Sequence, residues 1–176
     1  MNYILEKTFN SIEFQRLNLL GSLHNISPER LNNQPEGKWS INQVIAHLVT
    51  AEKLSVMYLA KKIQGINDTE NTGLIEDLKM VALIISQRLP FKFKAPKVVV
   101  ENTSASTDLD HLEKEWEEVR NSLKHLLDKI EDHQIKRKIY KHVRAGKLNI
   151  HQALIFFREH TIHHQPQIKR LVNLPM

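Results

Sequence analysis

The segment NIHQALIFFREHTIHHQPQIKRLV (residues 149–172) decides the fold: its apolar residues recur at a helical period, and histidines enter the same stripe. Asn149 with Gln152 three residues later is a capping pair that opens a helix. With each residue turning by about 100° and His160 set at zero, Ala153 and Leu171 fall near ~20°, His164 near ~40°, Phe157 near ~60° and Ile168 near ~80°. His160 and His164 therefore share the buried stripe. His163 falls near about −60°, with Gln152, Glu159 and Arg170, on a polar flank, and His151 lies near about 180°, with Arg158 and Lys169, facing water. Pro166 removes one backbone donor, frees the carbonyl of Ile162 and is expected to bend or loosen the helix there.

Two imidazoles at i and i+4 stand one above the other, the spacing by which an H-x-x-x-H pair chelates zinc. The glutamate that follows the first histidine in metalloproteases is replaced here by Thr161, which excludes that reading, and the pair alone is weak evidence for a metal, two stacked core histidines being the alternative. A third ligand candidate sits far upstream in VIAHLVTAE (44–52), where His47 is flanked at helical spacing by Val44, Ala51, Leu54 and Tyr58. Burying three uncompensated imidazoles costs free energy, and a shared divalent cation would offset it. His125 lies opposite Trp116 on its helix and is expected to face water, and His24, His111, His133 and His142 are expected at the surface, at helix ends or in loops. Glu52 falls in an apolar arc among Ile41, Ile45, Leu59 and Ile63 and needs a partner. A hydrogen bond or ion pair across helices is the expected role; the functional alternatives are a general base or a group that orients a ligand histidine.

Outward from these two segments, four long amphipathic helices follow from the periodicity: about 3–23, with Leu5, Phe9, Ile12, Leu19 and Leu23 inward; 40–64, opened by the Ser40/Gln43 capping box; 108–130, with Leu109, Leu112, Trp116, Val119, Leu123, Leu126 and Ile130 inward; and 149–172. Ser27-Pro28 starts a short helix between the first two, serine as cap and proline at the first position. A shorter helix over 74–88 and an extended excursion over 89–107 separate the second and third long helices. The expected fold is all-α, a four-helix bundle in one domain, 1–176, whose unequal connections leave room for a topology other than up-down-up-down.

Composition narrows the chemistry. The 176 residues contain no cysteine, which excludes disulfides, thiolate metal sites and cysteine nucleophiles. No segment reads as a signal peptide or membrane span, so a cytoplasmic protein without membrane partners is expected. The net charge of +5 concentrates in RLPFKFKAPK (88–97) and KRKIYKHVRAGK (136–147). Both are read as solvated basic loops rather than as a nucleic-acid surface, since neither holds a tryptophan or a recognition motif.

The segments GKWSINQVIAHLVTAEK and HQALIFFREHTIHHQPQIKRL resemble the second and last helices of the DinB-like superfamily: a Trp-Ser entry, a His-Leu pair and an Ala-Glu in the first, a His-x-x-His-His pattern in the second. The resemblance covers both ends of the bundle and not residues 65–107. It implies a bundle with a down-down crossover, often dimeric, and a divalent transition metal, zinc or nickel, on His47, His160 and His164. It also implies a metal-dependent enzyme acting on a small molecule, either a thiol-dependent S-transferase using a low-molecular-weight thiol or a hydrolase. The alternative is a non-catalytic module whose metal braces the bundle, and Glu52 is the candidate general base.

Overall fold

The computed structural model describes residues 1–89, 97–103 and 108–174. Seven α-helices lie among them: α1 (Tyr3–Gly21), α2 (Pro28–Asn32), α3 (Ile41–Lys62), α4 (Leu74–Arg88), α5 (Lys97–Asn102), α6 (Leu109–Leu127) and α7 (Ile150–Val172). Two short strands, β1 (Tyr140–His142) and β2 (Gly146–Leu148), pair antiparallel between α6 and α7. Gly146 closes this hairpin at φ 76°, a left-handed conformation that suits glycine.

The long helices begin where their caps dictate. The Asn2 side chain accepts from the Ile4 amide and that of Asp108 from the His111 amide, and Ser40/Gln43 and Asn149/Gln152 form reciprocal capping boxes. α1 and α6 stop short of the expected ends, at Gly21 and Leu127, yet Leu23 and Ile130 stay buried in the turns beyond. α7 runs on through Pro166 to Val172.

Two apolar clusters fix the direction of each helix. One joins Leu5, Phe9 and Ile12 of α1, Val56 and Leu59 of α3, Val119–Leu127 of α6 and Ile150–Phe157 of α7. The other joins Leu19 and Leu20 of α1, Ile41–Val49 of α3, Leu109–Trp116 of α6 and Ile168 and Leu171 of α7. α1 and α7 therefore run one way and α3 and α6 the other, giving an up-down-down-up bundle. α3 packs on α6 and α7, and α1 packs on the same two, so α1 and α3 sit on a diagonal although they are consecutive long helices. Two successive helices in the same direction need a return stroke of comparable length. α4, about 22 Å long at 1.5 Å per residue, provides it on the outside of α7. Pairings run in step along the two helices: Gln152 with Asp77 near one end, Glu159 with Arg88 and His163 with Gln87 toward the other.

Between the two apolar clusters each long helix contributes buried polar groups at mid-height: Arg16 from α1, Glu52 from α3, Arg120 from α6, and Glu159 and Thr161 from α7. His160 lies at the same level, one residue on from Glu159.

α4 covers part of the polar flank of α7, leaving Glu159 at 0% exposure and Gln152 buried, while Arg170 stays exposed. Three expectations need correction. His151 is half-buried rather than facing water. His142 is buried, because the hairpin register points Tyr140 and His142 to one side and Lys141 to the other. Within the expected extended excursion, the Val98–Val100 run belongs to α5, with Val99 buried; residues 90–96 and 104–107 of that excursion lie outside the described residues.

Candidate metal centre

His47 enters from the first half of α3, His160 from the middle of α7 and His164 from its second half, and the two helices pack directly on each other. One ring nitrogen from each of the three lies within 4.8 Å of the others, the only such group found among the described residues. The ring centroids form a near-equilateral triangle: 5.2 Å from His47 to His160, 5.0 Å from His47 to His164 and 4.9 Å from His160 to His164. The three residues singled out from their helical faces are thus brought together, and the remaining seven histidines stay outside the cluster.

His47 Nε2 and His160 Nε2 are 3.3 Å apart. Two neutral imidazoles make a hydrogen bond there only if one carries its proton on Nε2. The same separation is the edge of a tetrahedron of nitrogens around a cation with bonds of about 2.0–2.1 Å, roughly 3.3–3.4 Å. His164 Nδ1 donates to Gln167 Oε1 at 3.1 Å, so in the neutral ring the lone pair is on Nε2. His47 Nδ1 is buried without a hydrogen-bond partner.

Burial sets the protonation of the cluster. It pushes His47 down to about 4, helped by the nearby His163, and His164 to about 4, with the His47 charge adding to burial and the Gln167 bond opposing it. His160 is held well below the ordinary imidazole range by burial and then by His164 and His47. Neutral imidazoles are what a divalent ion requires, so both the donor spacing and the protonation state fit one.

Aromatic rings wall the cluster. Trp39 leans on His47 at 5.1 Å, and Phe156 stacks on His160 at 5.4 Å with the planes 14° apart. His142 reaches the other side of this wall, 4.5 Å from Phe156. Its Nδ1 accepts from the amides of Arg144 and Ala145, which places the proton of the neutral ring on Nε2. His163 donates from Nδ1 to the Gln87 carbonyl at 2.8 Å and so ties α7 to α4. Thr161, in the position of the metalloprotease glutamate, is buried and bonds back to the Phe157 carbonyl of its own helix.

Glu52 is not in the histidine group. Arg120 Nε lies 2.6 Å from Glu52 Oε1, Arg120 Nη2 donates to Oε2 at 3.0 Å and Trp116 Nε1 donates to Oε2 at 3.1 Å. Burial pushes the Glu52 carboxyl above the usual carboxylate range, while Arg120 and Trp116 pull it back. Its partners come from α6, a helix parallel to its own. Arg120 itself sits one residue beyond Val119 of the apolar stripe, a position that periodicity alone reads as its polar margin.

An up-down-down-up bundle with three imidazoles converging from its second and fourth long helices defines the class to which this chain conforms. The chain belongs to the DinB superfamily, whose family profile matches residues 11–168. Among solved structures it is similar to YfiT from Bacillus subtilis, described as a probable metal-dependent hydrolase with an unusual four-helix bundle topology. The two share 17% sequence identity and a TM-score of 0.60 over 97% of this chain and 87% of that one, a likeness of fold. No curated protein matches the sequence significantly.

Proposed function

We propose that this chain is a metal-dependent enzyme acting on a small molecule, with His47, His160 and His164 as the protein ligands of a divalent transition ion. The observation that carries the reading is the 3.3 Å approach of His47 Nε2 to His160 Nε2, within a cluster whose imidazoles burial keeps neutral. The description of YfiT as a probable metal-dependent hydrolase supports the same direction. A tetrahedral edge favours zinc, and nickel is the second choice. Three protein ligands leave coordination open to an exogenous molecule, as in catalytic rather than structural sites. When bound, the ion supplies Lewis acidity and lowers the pKa of a coordinated water or thiol.

The chain's own residues bind and orient. Gln167 fixes the tautomer of His164, Phe156 and Trp39 hold the rings of His160 and His47 and keep the site dry, and His163 anchors the helix to α4. Glu52, committed to Arg120 and Trp116, acts in this reading as part of the scaffold and not as the base. Hydrolysis is the broader activity proposed, and transfer of a low-molecular-weight thiol to an electrophile the narrower one.

The test is a screen of zinc- and nickel-loaded protein against activated esters and amides, and against thiol plus model electrophile. Turnover that chelation abolishes and metal restores is the expected result. Chelation that lowers the melting temperature, with no substrate turned over, would instead make the ion a brace between α3 and α7.

A further inference from the structure

Along the seam where α1 packs on α7 runs a groove of about 390 Å³, within the ~300–1,000 Å³ that small-molecule sites occupy. Lys7 and Ser11, one turn apart on α1, line one wall, and His151 and Arg158, two turns apart on one face of α7, line the other. Tyr3 and Ile4 give it an apolar end and are 73% and 49% exposed. No carboxylate among the described residues lines it.

The polar groups of the groove are not used up by the fold. Among the described residues Lys7 has no ion pair, and the Ser11 hydroxyl and the His151 ring have no hydrogen bond. Arg158 donates from Nε and Nη2 to Glu159 Oε1 at 3.1 and 2.9 Å, which leaves Nη1 over. Its backbone is pinned to α1, the Arg158 carbonyl accepting from Gln15 Nε2 at 3.3 Å. Glu159 is shared with Arg88, so one carboxylate faces two guanidiniums and one positive charge stays unmatched; Lys7 adds a second. Burial, and then the Arg158 charge, hold the His151 ring below its ordinary range, so at neutral pH it offers a hydrogen-bond partner and no charge.

We infer that this groove binds a small phosphate monoester, its phosphate on Lys7, Ser11 and Arg158 and its organic part against Tyr3 and Ile4. Two unmatched positive charges meet a phosphate dianion in full, whereas a monocarboxylate leaves one of them unmet. Guanidinium and ammonium groups donate to phosphate oxygens through short, charge-assisted bonds. The inference does not rest on the metal reading. Arg158 and His160 lie about 200° apart around α7, which puts the groove and the histidine triangle on opposite sides of that helix. Neither basic stretch of the sequence contributes to the groove, which joins residues from the two ends of the chain.

The probe is phenyl phosphate, titrated calorimetrically into the full-length protein, with phenol, benzoate and inorganic phosphate as comparisons. One molecule per chain is expected, with each comparison at least about tenfold weaker. Lys7→Gln and Arg158→Gln are each expected to weaken binding by about tenfold or more, the loss of one charge-assisted contact, with the helical spectrum unchanged. Arg158→Gln leaves Glu159 both of its bonds from Arg88, and Lys7 is exposed, so neither change unmakes the fold. His160→Ala is expected to bind phenyl phosphate as the wild type does, which separates the groove from an anion held at the histidines. The inference is overturned by no binding up to about 10 mM, by equal affinity in the wild type and both groove variants, or by binding that only His160→Ala abolishes. Benzoate or inorganic phosphate bound as tightly as phenyl phosphate overturns it as well.

Discussion

His47 Nε2 and His160 Nε2 lie 3.3 Å apart across 113 residues of chain. That approach exists because α3 and α7 run in opposite directions and pack directly, so that the first half of α3 faces α7 from its middle onward. The direction of α3 and α6 in turn depends on α4, which returns the chain along α7 and is held there by Arg88 on Glu159 at 2.8 Å.

The pH dependence follows from burial. His47 and His164 titrate near about 4 in the fold, against about 6.5 in an unfolded chain. Between those values the unfolded state binds more protons, so the metal-free protein is at full stability above pH 6.5 and loses it as pH falls toward 4. At pH 5, His47 alone accounts for on the order of 2 kcal/mol, a drop in Tm of roughly 4–8 °C. Thermal melts of chelated protein across this range check it; a Tm that is flat from pH 7 to 5 would count against buried neutral imidazoles.

Gln167 has a measurable role through His164. Gln167→Ala removes the acceptor of the His164 Nδ1 proton, and loss of such a partner costs about 10–100-fold in metal affinity. Competitive zinc titration should show that weakening with stoichiometry unchanged. Unaltered affinity would mean that His164 is oriented by packing alone.

Much of this was legible in the residues. Helical faces put His160, His164 and His47 into buried stripes, and the caps at Ser40 and Asn149 marked where their helices begin. The directions of the helices were not, since a period of 3.6 reads the same for either sense along the bundle axis; the down-down crossover came from resemblance. Periodicity placed Glu159 and Gln152 on a polar flank, and nothing local to α7 reveals that α4 will lie on them. His142 was missed for a related reason: a three-residue strand has too little pattern to show which side faces in. The alternation of Tyr140, Lys141 and His142 was the one signal available.

The mid-height ion pair is expected to act on stability, not on the metal. Arg120→Met leaves the buried Glu52 with Trp116 as its remaining donor, and breaking a buried pair costs about 3–5 kcal/mol. Tm should fall by at least ~6 °C while zinc stoichiometry is preserved. A variant that keeps its Tm but loses activity would move Glu52 from the scaffold into the chemistry.

The capping box at the head of α7 offers a smaller effect on the same scale. Asn149→Ala removes the acceptor of the Gln152 amide, worth about 1 kcal/mol, or roughly 2–4 °C in Tm. The Asn149 contact to Thr72 Oγ1 at 2.7 Å, which links α7 to the start of α4, is lost with it. Thermal melts of the two proteins side by side give the number, and no change in Tm would show that the box is dispensable.

The most direct measurement is metal content by elemental analysis of protein dialysed with one equivalent of zinc, comparing wild type with His160→Ala and His163→Ala. His160 sits in the triangle, whereas His163, three residues away, donates to the Gln87 carbonyl instead. One zinc per chain in wild type and His163→Ala, and close to none in His160→Ala, is the expected result. Equal metal in wild type and His160→Ala, or none in wild type, would contradict the three-histidine centre.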